Sequence, residues 1–281
     1  MKHETYAEYD SRRSEMAQSA FLSIWSSFTR WHQDLVLLGG LVPRYICKPP
    51  KRQSLPPPAT IDVDLGIALG TESGQYDPIS TALAGQGFNR HPTMLHRFEK
   101  EVDVDGVRII IPLDFLVESN EGNMGTVAVD NITATVMPGV NRALATAREV
   151  EIQGKDLQGA EQKVVARVCE IGPFLALKLR AFLDRQQGKD VFDILYTVQN
   201  YDGGPDAALK GFAEELRAKN RACIDAMKCL ETMFKDEQAP GPVRASHFLL
   251  GQREPDEHSD ISFRRSQIRQ QMVDVAAALR K

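Results

Sequence analysis

Two aspartates, Asp62 and Asp64, stand two positions apart in the run TIDVDLGIAL. In an extended chain such residues share one face, roughly 6.6–6.8 Å apart along the strand. Ile61, Val63 and Leu65 fill the opposite face and anchor it in a core. Two carboxylates this close repel, and one is pushed toward its neutral form unless a positive charge stands between them. A divalent cation resolves the conflict: magnesium takes one or two carboxylates, keeps some waters and recruits phosphate oxygens for its remaining positions. The plain alternative is a half-exposed strand with solvated aspartates, and Asp-x-Asp alone does not decide between the two.

Three further groups bear on that choice. Asp114 ends an apolar strand-like run, and if that strand lies beside the first, three carboxylates converge on one sheet edge. A third carboxylate can help hold a metal ion and take the proton of an attacking hydroxyl. Its ordinary role would be to cap a turn. Gly39-Gly40, in LLGGLVPRYI, follows a short apolar run and precedes a stretch that reads as helix. Glycines there let the backbone approach an anion, and a helix start offers free amides and a positive dipole end. Finally, KLRAFLDRQQGKDVFDIL sets Lys178, Ala181 and Arg185 on one helix face, with Lys189, Asp190 and Asp193 at the next helix start. Cations oriented by aspartates suit a triphosphate. The alternative is a solvated face with helix-end salt bridges of a few tenths of a kcal/mol each.

Local pattern predicts the elements that must position these residues. A helix is expected over 14–34, with Phe21, Ile24, Trp25 and Phe28 at helical spacing, and the first ten residues are expected to be loose. Strand, tight turn and helix follow from Leu35. CKPPKRQSLPPPAT is a proline-rich surface loop whose basic residues, with Arg44, form a lip suited to a nucleic acid strand. Residues 71–88 mix loop with a short helix. The clearest β signal is a hairpin turning at Asp105-Gly106, and NITATVMPG and EVEIQG suggest further strands. From Gly172 the pattern is helical: one helix stopping at Gly188, a second from Asp190, one long amphipathic helix over 206–236, and a basic helix over 262–280.

The 281 residues, 42% hydrophobic and 26% charged with a net charge of −4, belong to an ordinary globular chain with no global basic surplus. Four scattered cysteines without a Cys-x-x-Cys pair argue against a disulfide framework or a cysteine zinc site. The polar N-terminus lacks the apolar core of a secretion signal, and no apolar run reaches the roughly 18 residues of a membrane span. A cytoplasmic location is expected.

The order Gly-Gly before a helix, Asp-x-Asp on a strand, a third Asp on a later strand, then Lys…Arg…Lys-Asp-x-x-Asp in helices resembles the AbiEii/AbiGii-like nucleotidyltransferases of the DNA polymerase β-like superfamily. Many of these are toxins of toxin–antitoxin or phage-abortive systems. LALKLRAFLDRQQGKDVFDIL is the most specific match, and the resemblance runs over about 30–200. It implies an α+β fold, with a polymerase β-like core and mixed sheet over 14–160 and a helical domain over 161–281. It also implies Mg2+ held by Asp62, Asp64 and Asp114, with Asp114 as base and Lys189 among the catalytic residues. Gly39, Gly40, Lys178, Arg185, Asp190 and Asp193 would bind the nucleotide. The reaction would move a nucleoside monophosphate from a nucleoside triphosphate to an acceptor hydroxyl, in several relatives the 3′ end of tRNA, and a cognate antitoxin would be a partner. The chain departs from the superfamily in carrying Gly39-Gly40 where Gly-Ser is usual, and in a Gly40-to-Asp62 interval about twice the usual length. Two other readings therefore stand beside this one: a non-catalytic nucleotide- or partner-binding protein, and a transferase acting on protein or a small molecule.

Overall fold

The computed structural model describes residues 4–9, 11–48, 55–69, 74–119, 125–252 and 260–281. The chain divides into two compact units. One is Ser11–Tyr45 with Ala59–Glu170, and the other is Met1–Asp10, Ile46–Pro58 and Ile171–Lys281.

In the first unit the chain runs α1 (Ser11–Ser27), β1 (Leu35–Leu38), the one-turn α2 (Pro43–Ile46), β2 (Val63–Ile67), α3 (Asp77–Gly85) and β3 (Asn89–Arg90). It continues through β4 (Arg97–Val104), β5 (Val107–Val117), β6 (Thr126–Val129), β7 (Ile132–Val136), α4 (Val140–Ala145), β8 (Arg148–Lys155) and β9 (Glu161–Val168). Among the described residues the strands form a mixed sheet in the order β3-β4-β5-β2-β1-β9-β8, with β7 also pairing β5 and β6 pairing β7. Tight turns join the antiparallel β4–β5 and β6–β7 pairs, whereas the parallel pairs β2–β5, β5–β7 and β1–β9 are joined through long excursions.

The Asp105-Gly106 turn has positive φ at both residues, +54° and +79°, the geometry that matches strand twist in a two-residue hairpin. It pairs Val104 with Val107 and so carries the register down to Arg97 opposite Asp114. One face of the sheet, through Leu37, Leu65, Phe115 and Val168, is fully apolar and buried. Register places Gly154 on that same face, and Leu22 of α1 lies against it. The other face receives α4: Val140 packs on Gly66, where any side chain would collide with Val36 and Leu38. Glu118, buried, accepts hydrogen bonds from the Gly139 and Asn141 amides, both 3.0 Å, and so caps α4.

The second unit holds α5 (Ile171–Arg185), α6 (Gly188–Asn200), α7 (Pro205–Arg217), α8 (Ala222–Met233), α9 (Pro240–Leu250) and α10 (Asp260–Leu279). Gly172 of α5 and Gly211 of α7 let those helices approach backbone to backbone. The single long helix expected over 206–236 is two. Lys219 takes φ +55°, and buried Asn220 bonds Glu215 Oε2 at 2.9 Å while accepting the Ala222 amide at 3.0 Å, which caps α8. α9 opens at Pro240, in APGPVRASHFLL, because proline's fixed φ and missing amide suit the first turn of a helix.

The domain boundary expected between residues 160 and 161 instead falls after Glu170, since β9 pairs both β8 and β1 and belongs to the sheet. Residues 46–48 join the helical unit because Lys48 N bonds Asn200 O at 2.9 Å and Cys47 bridges Tyr201. The N-terminus is not loose over its described part. Tyr6 sets its ring edge-on to Phe192 and Phe248 and donates its hydroxyl to Pro57 O at 2.9 Å. Residues 49–54 of the proline-rich loop, with Lys51 and Arg52 of the expected basic lip, lie outside the described residues. None of the four cysteines is in a disulfide.

Candidate active site

Asp64 lies in β2 with Leu38 of β1 on one side and Asp114 of β5 on the other, each a direct register partner. Asp114 in turn faces Arg97 of β4. A row Leu38–Asp64–Asp114–Arg97 therefore crosses four strands on the α4 face, with neighbours about 4.8 Å apart across the sheet. Asp62 sits one residue before β2 and accepts the Thr60 hydroxyl at 2.9 Å. Sequence alternation alone put Asp62 with Asp64. The adjacency of β2 and β5 adds Asp114.

Arg97, which motif reading missed, grips Asp114 with both arms: Nε to Oδ1 at 2.9 Å and Nη2 to Oδ2 at 2.5 Å. This fork-to-fork geometry is the strongest form of the pair. The bond to Asp114 raises the Arg97 pKa above its ordinary value; burial opposes this, and the charges of Asp114, Asp62 and Asp64 reinforce it. Arg97 thus feels all three carboxylates. The signal that could have found it was local, since a two-residue turn at Asp105-Gly106 counts back directly to Arg97 opposite Asp114.

Gly39 and Gly40 form a 3-10 turn, Gly39–Leu41, and the helix after it, α2, is only one turn long and opens with Pro43. The amides on offer are those of the turn rather than of a long helix. Gly39 has φ +71°, and a Cβ there would overlap the Asp64 carboxylate. Its lack of a side chain makes room for Asp64. Gly39→Ala is accordingly expected to lower stability by about 2 kcal/mol or more, from the left-handed backbone and the overlap together. Urea unfolding of the variant checks this.

In the helical unit, the side chains of Lys178, Arg185, Lys189, Asp190 and Asp193 form one network. Lys178 Nζ meets Asp193 Oδ2 at 2.6 Å and Asp190 Oδ1 at 3.2 Å. Arg185 binds Asp190 with both arms, at 2.7 and 2.6 Å, and Lys189 meets Asp193 Oδ2 at 2.7 Å. Both aspartates are fully buried and Lys178 nearly so. This is not the solvated charge face that spacing also allowed. Burial by itself would lower the Lys178 pKa; Asp193 and Asp190 override burial and raise it, against the opposing charge of Arg185. Lys178 is thus a buried, permanently charged strut, while Arg185 keeps its side chain 40% exposed. Three cations against two aspartates leave one positive charge in excess. Among the arginines of α10, Arg265 is buried and donates to Gly251 O at 3.0 Å, so that helix is less basic at its surface than its sequence suggests.

Among the described residues, no group of three or more His, Cys, Asp and Glu side chains is disposed to hold a metal ion. The donors around β2 nonetheless fit magnesium in kind. Asp62 and Asp64 are two oxygen-donor carboxylates, the number magnesium uses when phosphates and waters complete its shell. Among the described residues no helix is long and apolar enough to cross a membrane.

A mixed sheet followed by a helical C-terminal unit is consistent with an α+β nucleotidyltransferase fold. The family model described as "Nucleotidyl transferase AbiEii toxin, Type IV TA system" matches residues 59–280. The chain belongs to that family, which places it among nucleotidyl transferase toxins whose systems include an antitoxin partner. The match takes in Asp62, Asp64, Asp114 and the whole lysine–aspartate network. It begins after Gly39-Gly40 and reaches through the last helices, farther than the motif resemblance extended. No curated protein matches the chain.

Proposed function

We propose that the protein transfers a nucleoside monophosphate from a nucleoside triphosphate to an acceptor hydroxyl, with an RNA 3′ end as the acceptor. The observation that supports this most directly is the alignment of Asp64 beside Asp114 on adjacent strands, with Asp62 one residue before the start of β2. Asp62 and Asp64 would hold Mg2+. When bound, the ion supplies neutralising charge for the triphosphate oxygens. Asp114, oriented by Arg97, takes the proton of the acceptor hydroxyl. The bidentate pair occupies two of a carboxylate's roughly four lone-pair sites, so acceptor capacity remains. The acceptor oxygen bonds to the α-phosphorus as the bond to the bridging oxygen breaks, and pyrophosphate leaves with that electron pair. Gly39 and Gly40 offer backbone amides to phosphate oxygens. In the helical unit, Arg185 and Lys189 are the cations assigned to phosphate, held in place by Asp190, Asp193 and Lys178.

The test is incubation of the pure protein with each labelled nucleoside triphosphate, Mg2+ and total cellular RNA, resolved on a gel. Label entering RNA with at least one nucleotide, and abolished by EDTA, supports the reading. Label entering protein or a small molecule changes the acceptor, and no label from any nucleotide overturns the transferase assignment for this chain.

A further inference from the structure

The helical unit holds a cavity of about 280 Å3 where α5 gives way to α6, with α9 and Glu4 of the N-terminal segment on its other sides. That volume is near the lower end of small-molecule sites, about 300 Å3. Its walls are fixed. A Cβ on Gly188 would come within 2.6 Å of the Arg244 carbonyl oxygen, so α6 begins in direct contact with α9 and brings Arg185 and Arg244 to one space. Asp190 sets the plane of the Arg185 guanidinium, whose side chain stays 40% exposed. Arg244 is exposed and ion-pairs with no described residue. His247 follows it by three positions and so shares its side of α9. α6 opens at Gly188 with no side-chain cap from Gln187, so the positive end of that helix lies at the same cavity. Apart from Phe248 the lining side chains are polar, which disfavours an apolar guest. One carboxylate borders the space: Glu4 accepts the Gln252 side-chain amide at 2.9 Å, and Tyr6 pins its segment against Phe192 and Phe248.

We infer that this cavity binds an oligophosphate, the anion common to free pyrophosphate and the tail of a nucleotide. Two guanidinium groups from different helices and the amino end of a third element converge on it. The planar fork of arginine matches phosphate oxygens, and an anion with several negative charges gains from each group it meets. Glu4 opposes such an anion by like charge and so holds its affinity down. The site goes beyond the transferase reading. It shares Arg185 with that reading but needs no metal ion and none of the three aspartates of the sheet.

Inorganic pyrophosphate is the probe, titrated calorimetrically into the full-length protein in EDTA, so that no metal ion bridges it to the carboxylates of the sheet. The wild type is expected to bind it. Arg244→Met changes an exposed side chain, so the fold is kept, and it is expected to weaken binding about tenfold or more through the loss of a charge-assisted bond. Glu4→Gln can still accept from Gln252 but loses its charge, and is expected to tighten binding about threefold. Succinate, a dianion without phosphate, is expected to bind at least about tenfold more weakly than pyrophosphate. Two further titrations separate the sources of the anion. A nucleoside triphosphate that binds about tenfold tighter than inorganic triphosphate assigns the cavity to a nucleotide tail, and equal affinities assign it to the free anion. No binding of pyrophosphate by the wild type, an unchanged affinity in Arg244→Met, weaker binding in Glu4→Gln, or succinate held as tightly as pyrophosphate each overturns the inference. None of these outcomes alters the assay of label transfer to RNA, which tests the transferase reading separately.

Discussion

Asp62→Ala combined with Asp64→Ala is expected to abolish nucleotide transfer while leaving the fold in place. The two carboxylates contribute to chemistry through charge aimed at one spot, and losing a single group that stabilises a transition-state charge typically costs about 10²–10³ in rate. Losing both, and with them the proposed metal position, should cost about 10³-fold or more. Stability should change little. Both side chains are only partly buried, they carry like charges whose repulsion disappears with them, and the alternate face, Val63, Leu65 and Ile67, still fills the core. The measurement is label transferred per unit time, beside thermal unfolding of the same preparation. A double variant that unfolds like the wild type and still transfers label would move the chemistry to other residues.

The largest stability effect is expected at Lys178. Lys178→Met keeps the length of the side chain but leaves Asp190 and Asp193 buried with less countercharge, and breaking a buried ion pair from one side costs about 3–5 kcal/mol. Asp193 is the more exposed to this loss, since its Oδ1 already has no hydrogen-bond partner in the structure and its Oδ2 takes both Lys178 and Lys189. Lys189→Met removes a partner nearer the surface and should cost less. Urea unfolding of the two variants gives the comparison, and equal midpoints for wild type and Lys178→Met would show that the network contributes nothing. The pH dependence has a definite sign. Folding raises the Lys178 pKa, so its contribution is complete below the unfolded lysine value of about 10.4 and is lost only as pH climbs through the higher folded value. Lys178 therefore adds no pH dependence to stability near neutrality, and weakens the helical unit only in strong alkali.

Much of this arrangement is legible in the sequence. A strand alternates, so Asp62 and Asp64 had to share a face. A helix repeats every 3.6 residues, so Lys178 and Arg185 had to share a side. Even Arg97 opposite Asp114 was implied, because a two-residue turn admits one register and the count from Asp105-Gly106 is unambiguous. Other local signals misled for local reasons. Asn220 sits inside an apolar stripe that is continuous in spacing, and only its side-chain bonds show that it ends one helix and starts another.

What the sequence alone determined was thus everything governed by near neighbours: faces, turns, the hairpin register and the like-charge conflict at Asp62 and Asp64. Tertiary structure decided which distant strands meet and which charges go inside. The parallel pairing of β2 with β5 brings Asp64 to Asp114 across a long connection whose local patterns do not say which strands pair, and the packing of α5 among α6, α7 and α8 buries Lys178 with its aspartates. The physical reason is common to both. Periodicity records which way a side chain points, while burial and strand adjacency depend on surfaces contributed by segments far away in the chain.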